Sequence, residues 1–231
     1  PVRVGNQAYE HFQHDVYGQI VLGASQAFFD KRLLHQPGLD DFRRLEQIGD
    51  RAFAMHDQPD AGIWELRTRA RVHTSSSLMC WAACDRLAKI AHQFDLSDRK
   101  DYWRERAETI HETICRRGWN EGKGAFVESF EGNDLDASLL LMAEVGFLPP
   151  NDPRFIATVD KIGENLRRGN HLFRYHAADD FGAPENAFNI CTFWYIDALA
   201  RIGRKDEARE IYETMLSCRN HVGLLSEDTT P

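Results

Sequence analysis

Asp101-Tyr102-Trp103-Arg104-Glu105-Arg106-Ala107-Glu108-Thr109-Ile110-His111-Glu112-Thr113-Ile114 decides the fold class. Its apolar residues Trp103, Ala107, Ile110 and Ile114 recur at steps of four, three and four, with only polar residues between them. That period lays one apolar stripe along an α-helix and leaves the opposite side to water. The pattern returns at Phe155, Val159, Ile162 and Leu166, while Leu87, Ile90, Ala91 and Phe94 mark a further stripe. No segment combines period-two alternation, β-branched enrichment and hairpin turns, and only Gly124 to Phe130 suits a short extended stretch. The chain reads as all-α.

Start and stop signals divide the pattern into about eight helices, roughly 6–30, 40–57, 74–95, 98–117, 134–146, 152–168, 186–203 and 205–219. Ser97 before Asp98 suits an N-cap, Asp152-Pro153 opens a helix, and Gly146 and Gly203 sit where helices should end. Short connections alternate with long ones at about 58–73, 118–133, 169–185 and beyond 219. If consecutive helices are antiparallel, every second connection emerges at the same end, so the four long loops share one face. A helical toroid with a one-ended active site fits this alternation. An elongated solenoid also fits, although no repeat at a fixed period supports it.

Composition bounds the function. Of 231 residues, 42% are hydrophobic and 11% aromatic, enough for a sizeable core. A net charge of −8 with scattered Lys and Arg excludes nucleic acid as a partner, because phosphate backbones are bound by clustered cations. No apolar run approaches the roughly 18–20 residues that cross a bilayer, so no membrane partner is expected. Pro1-Val2-Arg3-Val4-Gly5 lacks the apolar stretch of a signal peptide, and a start without Met and a stop within a loop point to a piece of a longer protein. Cys80, Cys84, Cys115, Cys191 and Cys218 sit in helical patterns without CxxC pairs, and read as buried reduced thiols of a cytoplasmic protein. His11, His14 and Asp15 do not share a helix face, so neither a metal nor another cofactor is expected.

The long loops carry the chemistry. In the first, Glu65 stands beside Trp64 and near Arg67; desolvation by the ring raises a carboxyl pKa and the cation lowers it. Glu65 is therefore a candidate general acid, against the plainer reading of a surface carboxylate paired with Arg67. The last loop carries Gly223-Leu224-Leu225-Ser226-Glu227-Asp228, whose carboxylates could divide acid and base work with Glu65. The loop at 169–185 adds Arg174-Tyr175 and Asp179-Asp180-Phe181-Gly182-Ala183-Pro184-Glu185. Rings for the apolar faces of a sugar and polar groups for its hydroxyls suit a carbohydrate pocket. Arg67, Arg69 and Arg71 alternate and would suit an anionic sugar, though a solvated cluster paired with nearby acids is the weightier reading. Ser75-Ser76-Ser77 begins a helix rather than forming a nucleophile elbow.

Asp60-Ala61-Gly62-Ile63-Trp64-Glu65, with His73-Thr74 and Met79-Cys80-Trp81-Ala82-Ala83-Cys84-Asp85-Arg86, resembles glycoside hydrolase family 15, the glucoamylase, glucodextranase and trehalase relatives. Arg3-Val4-Gly5-Asn6-Gln7-Ala8, Asp15-Val16-Tyr17-Gly18, Asp134-Leu135-Asp136-Ala137-Ser138, Phe173-Arg174-Tyr175, Asn186-Ala187-Phe188, Cys191-Thr192 and Leu224-Leu225-Ser226-Glu227 extend the resemblance in order along the chain. It implies an (α/α)6 barrel of twelve helices, with the acid after the fifth and the base after the eleventh. Glu65 follows the second expected helix and Glu227 the eighth, the same separation of six. Residues 1–231 are then expected to be one incomplete (α/α)6 catalytic domain lacking its N-terminal helices and its last helix. The resemblance makes Glu65 the acid and Glu227 the base of an inverting, exo-acting hydrolase of terminal α-linked glucose, on an α-glucan, an oligosaccharide or trehalose.

Trp64, Arg67, Arg174, Tyr175 and Glu185 complete the expected sugar-binding set. Arg174 matches a family arginine that holds the nonreducing glucose; otherwise it is a structural ion pair with Asp179 or Asp180. An arginine–aspartate clamp on a family N-terminal helix has no counterpart in the chain, and the open edges of a partial barrel suit self-association. Two rival functions remain: a noncatalytic carbohydrate-binding or assembly module, and a sugar epimerase using a pair from His73, His171, His176 and His221.

Overall fold

The computed structural model describes residues 5, 7–33, 36–66, 68–179 and 182–231. Among these, eight α-helices carry the fold, joined by two short 3-10 turns and three two-stranded antiparallel ladders. The chain divides into two compact units, Pro1–Arg117 and Gly118–Pro231. The all-α expectation holds. None of the helices is long and apolar enough to cross a membrane.

The first unit holds α1 (Asp15–Phe29), α2 (Leu39–Met55), α3 (Thr74–Gln93) and α4 (Ser97–Arg117). Its centre is α3, which packs against the other three helices and is buried continuously from Thr74 to Cys84. A helix enclosed in this way needs small or apolar residues on all sides, and Ser75, Ser76, Ala82 and Ala83 meet that need. Gly18 lets α1 approach closely, because a Cβ there would lie 2.1 Å from the Met79 carbonyl oxygen of α3. Trp103, Ala107, Ile110 and Ile114 are the buried residues of α4, the stripe read from sequence.

The second unit holds β1 (Trp119–Asn120) paired with β2 (Ala125–Phe126), a 3-10 turn at Ala137–Leu140 running into α5 (Leu141–Glu144), and α6 (Pro153–Leu166). Then follow β3 (Arg167–Arg168) paired with β4 (His171–Leu172), β5 (Ala187–Phe188), α7 (Asn189–Arg201), α8 (Lys205–Ser217) and β6 (Asp228–Thr229), which returns to pair with β5. Asp152 caps α6 through a 2.8 Å hydrogen bond from the Arg154 amide, with Pro153 in the first turn. Gly146 and Gly203 take left-handed conformations at the ends expected of them.

The structure corrects three boundaries and one burial. The first α-helix begins at Asp15 rather than near residue 6, because the backbone before it bonds elsewhere: Phe12 carbonyl accepts from Ala61, and the His14 amide donates to Asp60. Residues 134–146 do not form one helix. The Asp134 carbonyl accepts from Glu128, the Ala137 amide donates to the Arg174 carbonyl, and the Asp136 side chain caps the turn that follows. The seventh helix starts at Asn189, since Ala187 and Phe188 pair with Thr229 and Asp228. All five cysteines are free, but Cys218 is exposed and Cys115 half-buried; only Cys80, Cys84 and Cys191 are buried.

Candidate active site

In the first unit, Asp60 and Arg71 exchange backbone hydrogen bonds of 2.9 and 3.2 Å, which closes the base of the loop between them. Within it the Ala61 carbonyl accepts from Leu66 at 2.9 Å and the Gly62 carbonyl from Glu65 at 3.1 Å. The result is a tight turn over residues 62–65. Gly62 has φ of 67°, and a Cβ there would stand 2.8 Å from the His73 ring, so the position takes only glycine without strain. Glu65 also lies in the left-handed region, at φ 55°, which costs an L-residue with a side chain about 1–2 kcal/mol. Its carboxylate is exposed, and Trp64 on the same turn is half-buried.

Beneath the turn sits Asp60, 2% exposed. Its carboxylate accepts hydrogen bonds from the His14 amide at 2.8 Å and the Ser76 hydroxyl at 2.7 Å, and pairs with His73 Nδ1 at 2.9 Å. Burial pushes this carboxyl upward, but the hydrogen bonds from His73, His14 and Ser76 outweigh it and hold the group below the usual carboxylate range. Asp15 moves the other way. Burial, reinforced by the negative charge of Asp60, raises it, and its Oδ1 has no hydrogen-bond partner.

In the second unit, Arg174 pairs with Asp179 at 3.4 Å, and the Tyr175 hydroxyl donates to the same carboxylate at 2.7 Å. Burial and that hydrogen bond push the Tyr175 phenol well above its ordinary value. The Arg174 guanidinium also lies over the rings of Tyr175, at 5.1 Å, and Phe188, at 5.8 Å. Phe188 pairs with Asp228, which places the segment carrying Glu227 beside this cluster. Asn189, buried at the start of α7, holds that segment: its amide donates to the Glu227 carbonyl at 2.9 Å, its side chain to the Ser226 carbonyl at 3.0 Å, and it accepts from Thr229 at 3.0 Å. The Glu227 side chain is exposed.

The expected residues therefore gather in two groups. Trp64 and Glu65 share the turn of the first unit. Arg174, Tyr175 and the Glu227 segment surround Phe188 in the second, with the Arg174–Asp179 ion pair weighed from sequence present among them. Glu185 is exposed beyond Gly182, and among the described residues no side-chain hydrogen bond or ion pair ties it to either group. Arg67 lies outside the described residues, as do Asp180 and Phe181. His73 is committed to Asp60, and His221 is exposed. Sequence reasoning missed Asp60 and Asn189, although Asp60 stood inside the quoted motif.

The family model for Glycosyl hydrolases family 15 matches residues 1–230. The chain belongs to glycosyl hydrolases family 15. Family 15 relatives include a trehalase of Mycobacterium tuberculosis, 35% identical over 239 residues, covering 100% of this chain and 34% of that protein. A trehalase of Thermoplasma volcanium is 34% identical over 229 residues, covering 99% of this chain and 36% of its own length. The chain thus spans about a third of the curated relatives it matches. A glycosidase variant solved in complex with glucose superposes with a TM-score of 0.79 at 18% identity, over 95% of this chain and 57% of that one. A bacterial glucoamylase complexed with acarbose gives 0.60 at 15% identity, over 93% and 43%. These likenesses give the family 15 chain the helical fold of those enzymes.

Proposed function

We propose that the protein carrying this chain hydrolyses terminal α-linked glucose with inversion, and that trehalose is its substrate. The observation that carries the reading is the turn at 62–65, where a strained backbone presents the Glu65 carboxylate beside Trp64 while a buried hydrogen-bonded carboxylate fixes the turn from below. The naming of 34–35% identical relatives as trehalases over the whole chain supports the choice of substrate. On this reading residues 1–231 are part of one (α/α)6 catalytic domain.

Glu65 protonates the glycosidic oxygen as the bond to C1 breaks. Glu227 takes a proton from a water that attacks C1 from the opposite side, a geometry that requires the two carboxyls about 6.5–9.5 Å apart. Arg174, held by Asp179 and stacked on two rings, supplies fixed donors for sugar hydroxyls. No metal or organic cofactor takes part in such a step. Trehalose attacked in this way yields one β-glucose from the attacked ring and one α-glucose from the leaving ring.

The test is glucose release by the intact protein from trehalose, maltose, isomaltose and soluble starch, with the new anomer followed by NMR. Equal initial α- and β-glucose from trehalose, lost by at least about 100-fold in Glu65→Gln and Glu227→Gln, is the expected result. Glucose release unaffected by either substitution would remove the acid–base assignment. Sugar binding without release in the wild-type protein would favour a noncatalytic module.

A further inference from the structure

Asp60 is buried, ionised and engaged by three hydrogen-bond partners, and one line of its contacts leads to Glu65. Its backbone closes the loop at Arg71. Its Oδ1 pairs with His73, whose ring packs against the Cα of Gly62, leaving no room for a side chain there. The Gly62 carbonyl in turn receives the Glu65 amide and the Gln13 side chain, the latter at 3.1 Å. Oδ2 draws in the His14 amide and Ser76, which ties the entry to α1 and the first turn of α3 to the same point. Three segments distant in sequence thus meet on one carboxylate. A buried charge in such a setting is costly unless every lone pair is engaged, so its replacement disturbs all three segments together.

We propose that Asp60 is a positioning residue for hydrolysis: acting through His73 and Gly62, it fixes the turn that presents Glu65 to the leaving oxygen. The proposal rests on the reading of Glu65 as general acid. Asp60 does not touch the substrate. Its amide isostere could fill the same space only by turning one acceptor into a donor, and His73 or Ser76 would then have to reverse its hydrogen bond.

The test compares Asp60→Asn and Ser76→Ala with the wild-type intact protein on two substrates, trehalose and α-glucosyl fluoride. Fluoride departs with little need of a proton donor, whereas the alkoxide of a glucose does not. A displaced acid therefore lowers kcat on trehalose by about 10–100-fold in Asp60→Asn, with KM and the rate on the fluoride each within about threefold of wild type. Ser76→Ala, which removes one donor and keeps the carboxylate, shifts the trehalose kcat in the same direction by a few-fold, and it decides the matter if Asp60→Asn does not fold. A parallel fall on both substrates, or an unchanged trehalose kcat, overturns the proposal. If the wild-type protein hydrolyses neither substrate, the hydrolase reading falls by itself. Amide hydrogen exchange then decides the structural link: exchange at residues 60–66 at least about tenfold faster in Ser76→Ala supports it, and unchanged exchange overturns it.

Discussion

At Glu65 a left-handed backbone and a long side chain coexist, and a glycine there would be relieved of the strain. Glu65→Gly is expected to be about 1 kcal/mol more stable than Glu65→Ala in denaturant unfolding, while both lack hydrolysis. Equal stabilities would mean that the turn relaxes when the carboxylate is removed. Asp15 offers a pH-dependent counterpart. Its folded pKa is raised by burial and by Asp60, so above that folded value it is ionised at a cost to the folded state. That cost fades as pH falls through the folded value and is gone below the unfolded value of about 3.9. Asp15→Asn is therefore expected to raise the melting temperature at pH 7, with the gain shrinking toward pH 4. A gain that grew on acidification would contradict this sign.

Along a single helix, two glycines separate by what they face. Gly18→Ala drives a methyl group into the backbone of α3 at Met79 and is expected to destabilise by about 1–3 kcal/mol. Gly23→Ala meets nothing within 4 Å and is expected to stabilise by about 0.5–1 kcal/mol, measured by the same unfolding curves. At the start of α7, Asn189→Ala strips the Ser226 carbonyl and Thr229 of their partner; a loss of about 1–3 kcal/mol and faster amide exchange at 226–229 are expected. The stripes on α4 and α6 were legible because a buried face repeats with the helix period, and burial follows it residue for residue at Trp103, Ala107, Ile110 and Ile114. The break of residues 134–146 into a 3-10 turn and a short helix was not legible, because the groups that capture the backbone of Asp134 and Ala137, Glu128 and Arg174, act across sequence distance. Apolar spacing carries no trace of such partners.

Across the whole molecule, the cysteines give a simple readout of packing. Cys80, Cys84 and Cys191 are buried with their thiols pushed up by desolvation, Cys84 to about 12, whereas Cys218 is exposed. Brief alkylation of the native protein followed by peptide mass analysis should label Cys218 first and the three buried residues only after unfolding. Early labelling of Cys80 would show that α3 opens. The candidate site was half legible on the same grounds as the fold. Loop length and motif resemblance singled out Glu65 and Glu227, while Asp60 draws its donors from 46, 13 and 16 residues away and had no local signature. The enclosure of α3 bears also on how the chain is made. With α1 ending at Phe29 and α3 at Gln93, the ribosome must add every residue between them before the apolar faces of α1 and α2 find their cover. At about 5–20 residues per second that interval lasts roughly 3–13 seconds, during which the nascent segment offers bare helix faces to any chaperone that holds them.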